Sequence, residues 1–241
     1  MADSTILKGN QLSKAPAAEA YKTLRTNIQF SSLDKQLKVL MVTSVSQSEG
    51  KSTTAANLAI TIAQSDKRVL LIDSDLRRPH IHKALSLLNV KGLTNVLVQS
   101  IDYKDICNTV GVKNLEVLTS GPKPPNPSEL IGTARMESFI TTVASEYDTV
   151  IIDAPPVLPV TDAAVLSRLV DGVILVVEYG STSYEMAQEA KDDLERVGAN
   201  IIGAVLNRYP IEKKGRYNYE YDQDLPKKQS TRSFSKGVRR A

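Results

Sequence analysis

The chain has 241 residues, 41% of them hydrophobic and 24% charged, with a formal net charge of +3; that is enough for one large α/β domain with a substantial core. No apolar stretch approaches the roughly 20 residues a membrane-spanning helix needs, and no basic-then-apolar secretory start is present, so a cytoplasmic location is expected. Residues 1–210 hold 21 Lys and Arg against 23 Asp and Glu, which excludes a nucleic-acid-binding body by charge, while residues 211–241 hold 9 against 4 and suit something anionic.

In chain order, residues 17–30 alternate on a helical period, with Ala17, Ala20, Tyr21, Leu24 and Ile28 along one side. Strand-like runs follow at 38–43, 68–72, 115–118, 149–152, 172–177 and 201–206, and helical stretches near 52–64, 80–88, 133–146, 161–169 and 182–197. Most strand runs are apolar on both faces, as in a parallel sheet covered by helices on each side. The expected fold is α/β: a doubly wound, mostly parallel sheet of the P-loop NTPase type, with its ligand at the carboxyl ends of the strands. Cys107 sits in a helical-looking stretch, where packing rather than reactivity is expected, and as the single cysteine it excludes an intramolecular disulfide. His80 and His82 are too few for a protein-built zinc site. Residues 121–128 contain four prolines and read as a stiff loop that cannot be helix or central strand. The domain is expected to span 1–210. Residues 211–241 are polar, charged and rich in Ser, Lys and Arg, and read as a disordered tail.

The most informative segment is Gln47-Ser48-Glu49-Gly50-Lys51-Ser52-Thr53, which follows an apolar run and opens a helical pattern. A glycine-bearing loop at a helix N-terminus aims backbone amides at an anion. Lys51 adds a point charge for the β- and γ-phosphates, and the Ser52 hydroxyl suits Mg²⁺. The usual motif has a first glycine where this chain has Val45.

Two further strand runs end in acid: Val69–Ile72 in Asp73-Ser74-Asp75, and Val150–Ile152 in Asp153. A parallel sheet carries such strand ends to one rim, so all three carboxylates are expected beside Lys51 and a bound Mg²⁺, with Asp75 and Asp153 as metal ligands, some through water. Phosphoryl transfer asks mainly for positioning and charge neutralisation. Asp73 and Asp75 are two residues apart and share a face of an extended chain, so one can hold metal while the other accepts the nucleophile's proton. Arg77 and Arg78 fit phosphate binding or subunit ion pairs. Asn207 and Arg208 follow the last strand, and Asn carries the donor–acceptor pair an adenine edge can use, or the chemistry of a turn.

On these residues the chain resembles the bacterial tyrosine kinases that regulate capsule and exopolysaccharide synthesis, from about Ala18 to Tyr221. Asp73–Pro79 looks like that family's second Walker-type motif and Ile151–Pro156 like its third; Gly92-Leu93-Thr94 and Gly121–Leu130 are similar to its linking segments. Glu19, Lys22 and Arg25 resemble its subunit-contact helix, and Tyr217, Tyr219 and Tyr221 its autophosphorylated cluster. The resemblance implies that ATP with Mg²⁺ gives its γ-phosphate to a tyrosine, with Asp73 or Asp75 assisting the phenol proton. It implies a homo-oligomeric ring whose members offer tails to their neighbours, a separate membrane-embedded activator of the co-polymerase type that recruits the kinase to the inner face of the membrane, and a cognate phosphotyrosine phosphatase. Three phosphates, at about −1.5 to −2 charges each, are expected to neutralise the tail and loosen the ring.

The departures are Gln47-Ser48 where the family often has Pro-Gly, so that loop amides are aimed differently, and Lys22 where it often has Arg, which removes a bidentate fork. Two other classes use such a scaffold. Switch ATPases of division-site or partition type carry an extra loop lysine where this chain has Ser46, and a non-catalytic nucleotide-binding scaffold needs no acceptor at all.

Overall fold

The computed structural model describes residues 16–31 and 37–210; the expected tyrosine tail lies outside the described residues. The elements in chain order are α1 (Pro16–Phe30), β1 (Val39–Ser44), α2 (Lys51–Ala63), β2 (Val69–Asp73), α3 (Ile81–Ala84), α4 (Leu93–Gln99), β3 (Asn108–Thr109), β4 (Leu115–Leu118), α5 (Pro127–Ile131), α6 (Ala134–Glu146), β5 (Thr149–Asp153), α7 (Asp162–Ser167), β6 (Gly172–Glu178), α8 (Tyr184–Arg196) and β7 (Ile201–Asn207). Among the described residues the strands form one sheet in the order β3-β4-β2-β5-β1-β6-β7. Every pairing is parallel except the short antiparallel edge strand β3 on β4.

Both faces of the sheet are covered across β1, β2, β4, β5 and β6, while the edge strand β7 has no buried residue and leaves Gly203, Ala204 and Leu206 exposed, contrary to the expectation for its apolar run. Val39, Met41, Leu70, Ile72, Val150 and Ile152 pack toward α4, α6, α7 and α8. Their neighbours Leu40, Val42, Val69, Leu71 and Ile151 pack toward α2 and α1. The strand alternation therefore sends successive side chains into two separate cores, each large aliphatic side chain contributing about 1.5–3 kcal/mol on burial. Twelve of the thirteen residues of α2 are buried. Its alanines at 55, 56, 59 and 63 let it lie close to the sheet while α1 covers its outer side. Thr133 and Ser183 cap α6 and α8 by accepting the Met136 and Met186 amides, each cap contributing about 1 kcal/mol.

Several local expectations change. On α1 the buried alanine is Ala18, whereas Ala17 and Ala20 are exposed; Tyr21, Leu24 and Ile28 do face α2. The helix expected over 80–88 shrinks to α3, because the chain then leaves helix at Leu85 and Asn89 is drawn to Ser120 and Gly121. Gly92-Leu93-Thr94, expected as a linking segment, leads into helix α4 (Leu93–Gln99), which no helical period announced, with the Asn95 side chain accepting the Gly92 amide at 2.9 Å. Cys107 lies between a 3-10 turn at Tyr103–Asp105 and β3 rather than in a helix; burial pushes its thiol up to about 12, which keeps it unreactive. The proline loop stops two residues earlier than expected. Pro127 opens α5, a place where its missing N–H and fixed φ suit the first helical turn.

Candidate active site

The loop from β1 to α2 carries two left-handed residues, Ser48 at φ 67° and Gly50 at φ 95°. At Gly50 the left-handed φ strains any other residue, and a Cβ there would displace the Asn207 side-chain amide. At Val45 the structure shows no positive φ and a side chain fully inside the core, so the absent first glycine is not missed. Ser48 occupies the conformation a glycine would take, at a cost of about 1 kcal/mol. The loop is tied from three directions. Glu49 takes the Ser46 amide on one carboxylate oxygen at 2.9 Å and the Thr182 hydroxyl on the other, and its own carbonyl accepts from Asn207 Nδ2 at 2.8 Å. Arg78 Nη1 donates to Gln47 Oε1.

Asp73 and Asp153 are register partners on β2 and β5. Lys51 Nζ lies 2.8 Å from Asp75 Oδ2 and 3.7 Å from Asp153 Oδ1. Burial works against the lysine charge, but Asp153 and then Asp75 outweigh it and hold the amine above its ordinary value. The three carboxylates have different partners. Asp73 accepts the Asp75 amide on Oδ1 at 3.2 Å and the His80 and Ile81 amides on Oδ2, each at 3.1 Å. Asp75 uses its other oxygen on the Arg78 amide at 2.9 Å. Asp153 is fully buried and neither of its oxygens accepts a hydrogen bond. Burial pushes Asp153 up to about 6, against the lowering pull of Lys51 and Ser52. Burial first, and Asp153 second, push Asp73 well above the usual carboxylate range.

An orphaned carboxylate beside a lysine and the Ser52 hydroxyl fits Mg²⁺, a hard ion that takes oxygen ligands and keeps several waters. Among the described residues no group of three His, Cys, Asp or Glu side chains forms a metal site by itself. The available donors are two carboxylates and a hydroxyl, a set that phosphate oxygens and water complete.

These groups line or adjoin a cleft of about 1020 Å³. Gln47, Ser48, Gly50, Lys51, Ser52, Thr53, Asp75, Asn207 and Arg208 line it; Glu49, Asp73 and Asp153 sit behind its wall. The charged lining is strongly cationic: Lys51, Arg77, Arg78, Lys83, Lys123 and Arg208 face Asp75 alone. Such a surface collects a polyphosphate. Arg77 lines the cleft but is also committed to an ion pair within its own chain. Its Nε and Nη2 form a fork on Asp162 at 2.8 and 2.9 Å, and Nη2 also reaches Ser128 Oγ at 2.8 Å. Burial raises Asp162, yet Arg77 and Ser128 together leave it below its ordinary value. Burial also holds His80 and His82 below their ordinary values, so both are neutral at pH 7. Asn207 and Arg208 do reach the cleft, but Asn207 Oδ1 accepts the Arg208 amide at 2.9 Å and Arg208 Nη1 pairs with Glu178. On α1, Glu19 and Lys22 pair with each other at 3.1 Å in the open, while Arg25 Nη1 turns inward to the Thr61 carbonyl at 3.1 Å. Tyr217, Tyr219 and Tyr221 lie outside the described residues. Reading the residues in order missed Asp162, Thr182, Lys83 and Lys123. Only the Thr161-Asp162 pair before an apolar helix carries any local signal, and that signal is a helix start.

Comparison with known proteins agrees with this geometry. A family profile described as an AAA domain matches residues 37–199. The tyrosine-protein kinase YwqD of Bacillus subtilis is 44% identical over 88% of this chain and 89% of its own length. The putative tyrosine-protein kinase CapB of Staphylococcus aureus is 38% identical over 88% and 92%. The solved kinase domain of the Escherichia coli tyrosine kinase Etk superposes with a TM-score of 0.75 at 36% identity, covering 80% of this chain and 77% of that one. The septum site-determining protein MinD of Pyrococcus horikoshii, solved with Mg-ADP, stands further off at 23% identity and a TM-score of 0.62, over 73% and 75% of the two chains. That likeness shows the fold alone and leaves the switch-ATPase reading a distant one. By sequence and by structure, the chain belongs to the bacterial tyrosine-protein kinases, on the P-loop NTPase fold.

Proposed function

We propose that this chain is a protein-tyrosine autokinase that moves the γ-phosphate of ATP onto Tyr217, Tyr219 and Tyr221 of a neighbouring copy, and that this transfer regulates capsular or exopolysaccharide synthesis and export. The observation that carries the reading is the fully buried Asp153 carboxylate, without a hydrogen bond, beside Lys51 and Ser52 at the phosphate loop. Lys51 at 3.7 Å compensates that charge only in part, and two oxygens without hydrogen bonds leave room for a second cation.

In this reading residues 47–53 cradle the phosphates, Lys51 neutralises the β- and γ-oxygens, and Ser52 and Asp153 would hold Mg²⁺, with Asp75 reaching it only through water. Asn207 and Arg208 border the base end of the cleft. Bound Mg²⁺ supplies charge to the oxygens of the phosphates as the γ-group departs. Of the two candidate proton acceptors the reading favours Asp75, because Asp75 lines the cleft and Asp73 does not. Asp73 is engaged by three backbone amides, which fix the turn that presents Asp75 and the start of α3. As Lys51 turns to phosphate it releases Asp75 Oδ2, leaving that oxygen to receive the phenol proton.

The wider assembly is part of the same proposal: a kinase domain over 1–210, a tyrosine tail over 211–241, a ring formed through Glu19, Lys22 and Arg25 of α1, a membrane-bound co-polymerase-type activator as a separate chain, and a cognate phosphatase. Among the described residues no helix is long and apolar enough to cross a membrane. Recruitment to the inner face of the membrane would therefore come through the partner. Purified full-length chain incubated with Mg-ATP, followed by site-resolved phosphotyrosine detection, tests the reading, with Lys51→Met as control. Mixing Lys51→Met chain with chain carrying Phe at all three tail positions should place phosphate on the lysine variant. ATP hydrolysis with unmodified tyrosines would instead mark a switch ATPase.

A further inference from the structure

Asn207 ends β7 at the rim of the cleft, where its amide could face a base. In the folded chain both ends of that amide are engaged: Nδ2 donates to the Glu49 carbonyl at 2.8 Å and Oδ1 accepts the Arg208 amide at 2.9 Å. Glu49 is only 3% exposed and its side chain does not line the cleft. One of its oxygens holds the Ser46 amide, and the other holds the Thr182 hydroxyl. Thr182 Oγ1 in turn accepts the Glu178 amide at 2.9 Å, and Glu178 pairs with Arg208. The phosphate loop, the end of β6, the turn before α8 and the end of β7 thus meet around one buried carboxylate.

The residues on either side of Glu49 show why the loop needs such a tie. Ser48 and Gly50 are both left-handed, and a serine in that region persists only where its surroundings over-determine it. A phosphate loop acts through the aim of its amides, so a relaxed loop binds every polyphosphate less well, whatever base is attached. We propose that Glu49, Thr182 and Asn207 are positioning residues that strap the phosphate loop into its binding shape, and that Asn207 acts on the triphosphate through Glu49 rather than by reading the base.

The inference rests on the nucleotide-binding reading above, and ligand chemistry separates the two. A base reader and a loop positioner differ in which part of the ligand feels their loss. Calorimetric titration of the full chain with a non-hydrolysable ATP analogue and with tripolyphosphate, each with Mg²⁺, supplies ligands with and without a base. Thr182→Val should weaken both by about tenfold, the value of one hydrogen bond to a charged group. Thr182→Ser, which keeps the hydroxyl, should restore both. Asn207→Ala, on a different element, should weaken both by equal factors. Loss confined to the ATP analogue in Asn207→Ala, or unchanged binding of both ligands by Thr182→Val, overturns the strap while leaving the nucleotide site intact. A wild-type chain that binds neither ligand overturns the nucleotide reading and the strap together.

Discussion

Replacing Asp153 with Asn should make the nucleotide-free protein more stable, and increasingly so as pH rises. Burial moves this carboxyl from an ordinary 3.8 to about 6. A carboxyl whose folded value is raised contributes stability below its unfolded value and loses it as pH climbs through the folded one. Integrating between the two values makes the penalty of its ionisation small at pH 4, growing through pH 5 and 6, and on the order of 3 kcal/mol above pH 7. Asn removes that penalty but buries an amide with unmet hydrogen bonds, which returns about 1 kcal/mol. The net gain at pH 7.5 is about 2 kcal/mol, roughly 4–8 °C in the thermal midpoint for a domain of this size. The pull of Lys51 on Asp153 is already contained in the value of about 6, and Lys51 keeps Asp75 at 2.8 Å after the substitution. Thermal unfolding of both chains without nucleotide, at pH 5 and pH 7.5, measures the effect. The difference between the chains should be larger at the higher pH, by on the order of 1 kcal/mol. The same variant should lose the stabilisation that Mg-ADP confers on the wild type. A variant that is no more stable at pH 7.5, or whose advantage does not change with pH, would refute the claim that Asp153 stands as an uncompensated charge awaiting a cation.

The same carboxyl predicts how Mg²⁺ binding responds to acid: affinity for Mg-ADP, followed by calorimetry, should fall by about tenfold per pH unit below pH 6 and be flat above pH 7. Arg77→Ala should cost about 1–3 kcal/mol in urea unfolding, because it leaves the buried Asp162 charge with Ser128 but without its cation; Arg77→Lys should recover only part of it, lacking the fork. Gly50→Ala should weaken nucleotide binding about tenfold or more, since its Cβ displaces the Asn207 amide that ties the loop and its left-handed φ strains alanine. Ser48→Gly should be neutral or stabilising by up to about 1 kcal/mol in thermal unfolding, where a serine at an ordinary φ would lose stability on the same change.

The fold was legible because its signal is local and repeated. Apolar runs of four to seven residues, each but the last followed by a helical period, define β1, β2, β4, β5, β6 and β7. The elements that escaped, α4 and β3, are short and depend on distant partners. Thr119 and Ser120 carbonyls receive the amides that begin α4, and β3 exists only as two residues against β4. Pro127 misled because its fixed φ was read as a breaker, when at a first helical turn it is a starter.

The candidate site divides along a similar line. That Asp73, Asp75 and Asp153 would gather near Lys51 follows from topology, since parallel strands deliver their last residues to one rim. What each carboxylate is free to do does not follow, because that depends on which backbone amides arrive beside it. Asp73 is taken by the start of α3 and by the Asp75 turn, Asp75 is divided between an amide and Lys51, and Asp153 is left with nothing but a nearby charge. Asp73 and Asp75 sit two residues apart on one segment, and only three-dimensional hydrogen bonding separates the positioning group from the one that faces the cleft. The arginines make the same point in reverse. Arg77, which looked like a phosphate ligand, is bound by an aspartate 85 residues further along the chain, and no spacing rule connects the two. In a site built on backbone amides, the side chain able to react is the one the backbone has left unsatisfied. By that criterion Asp153 and the cleft-facing oxygen of Asp75 carry the chemistry, and Asp73, the most buried of the acids in hydrogen-bond terms, holds them in place.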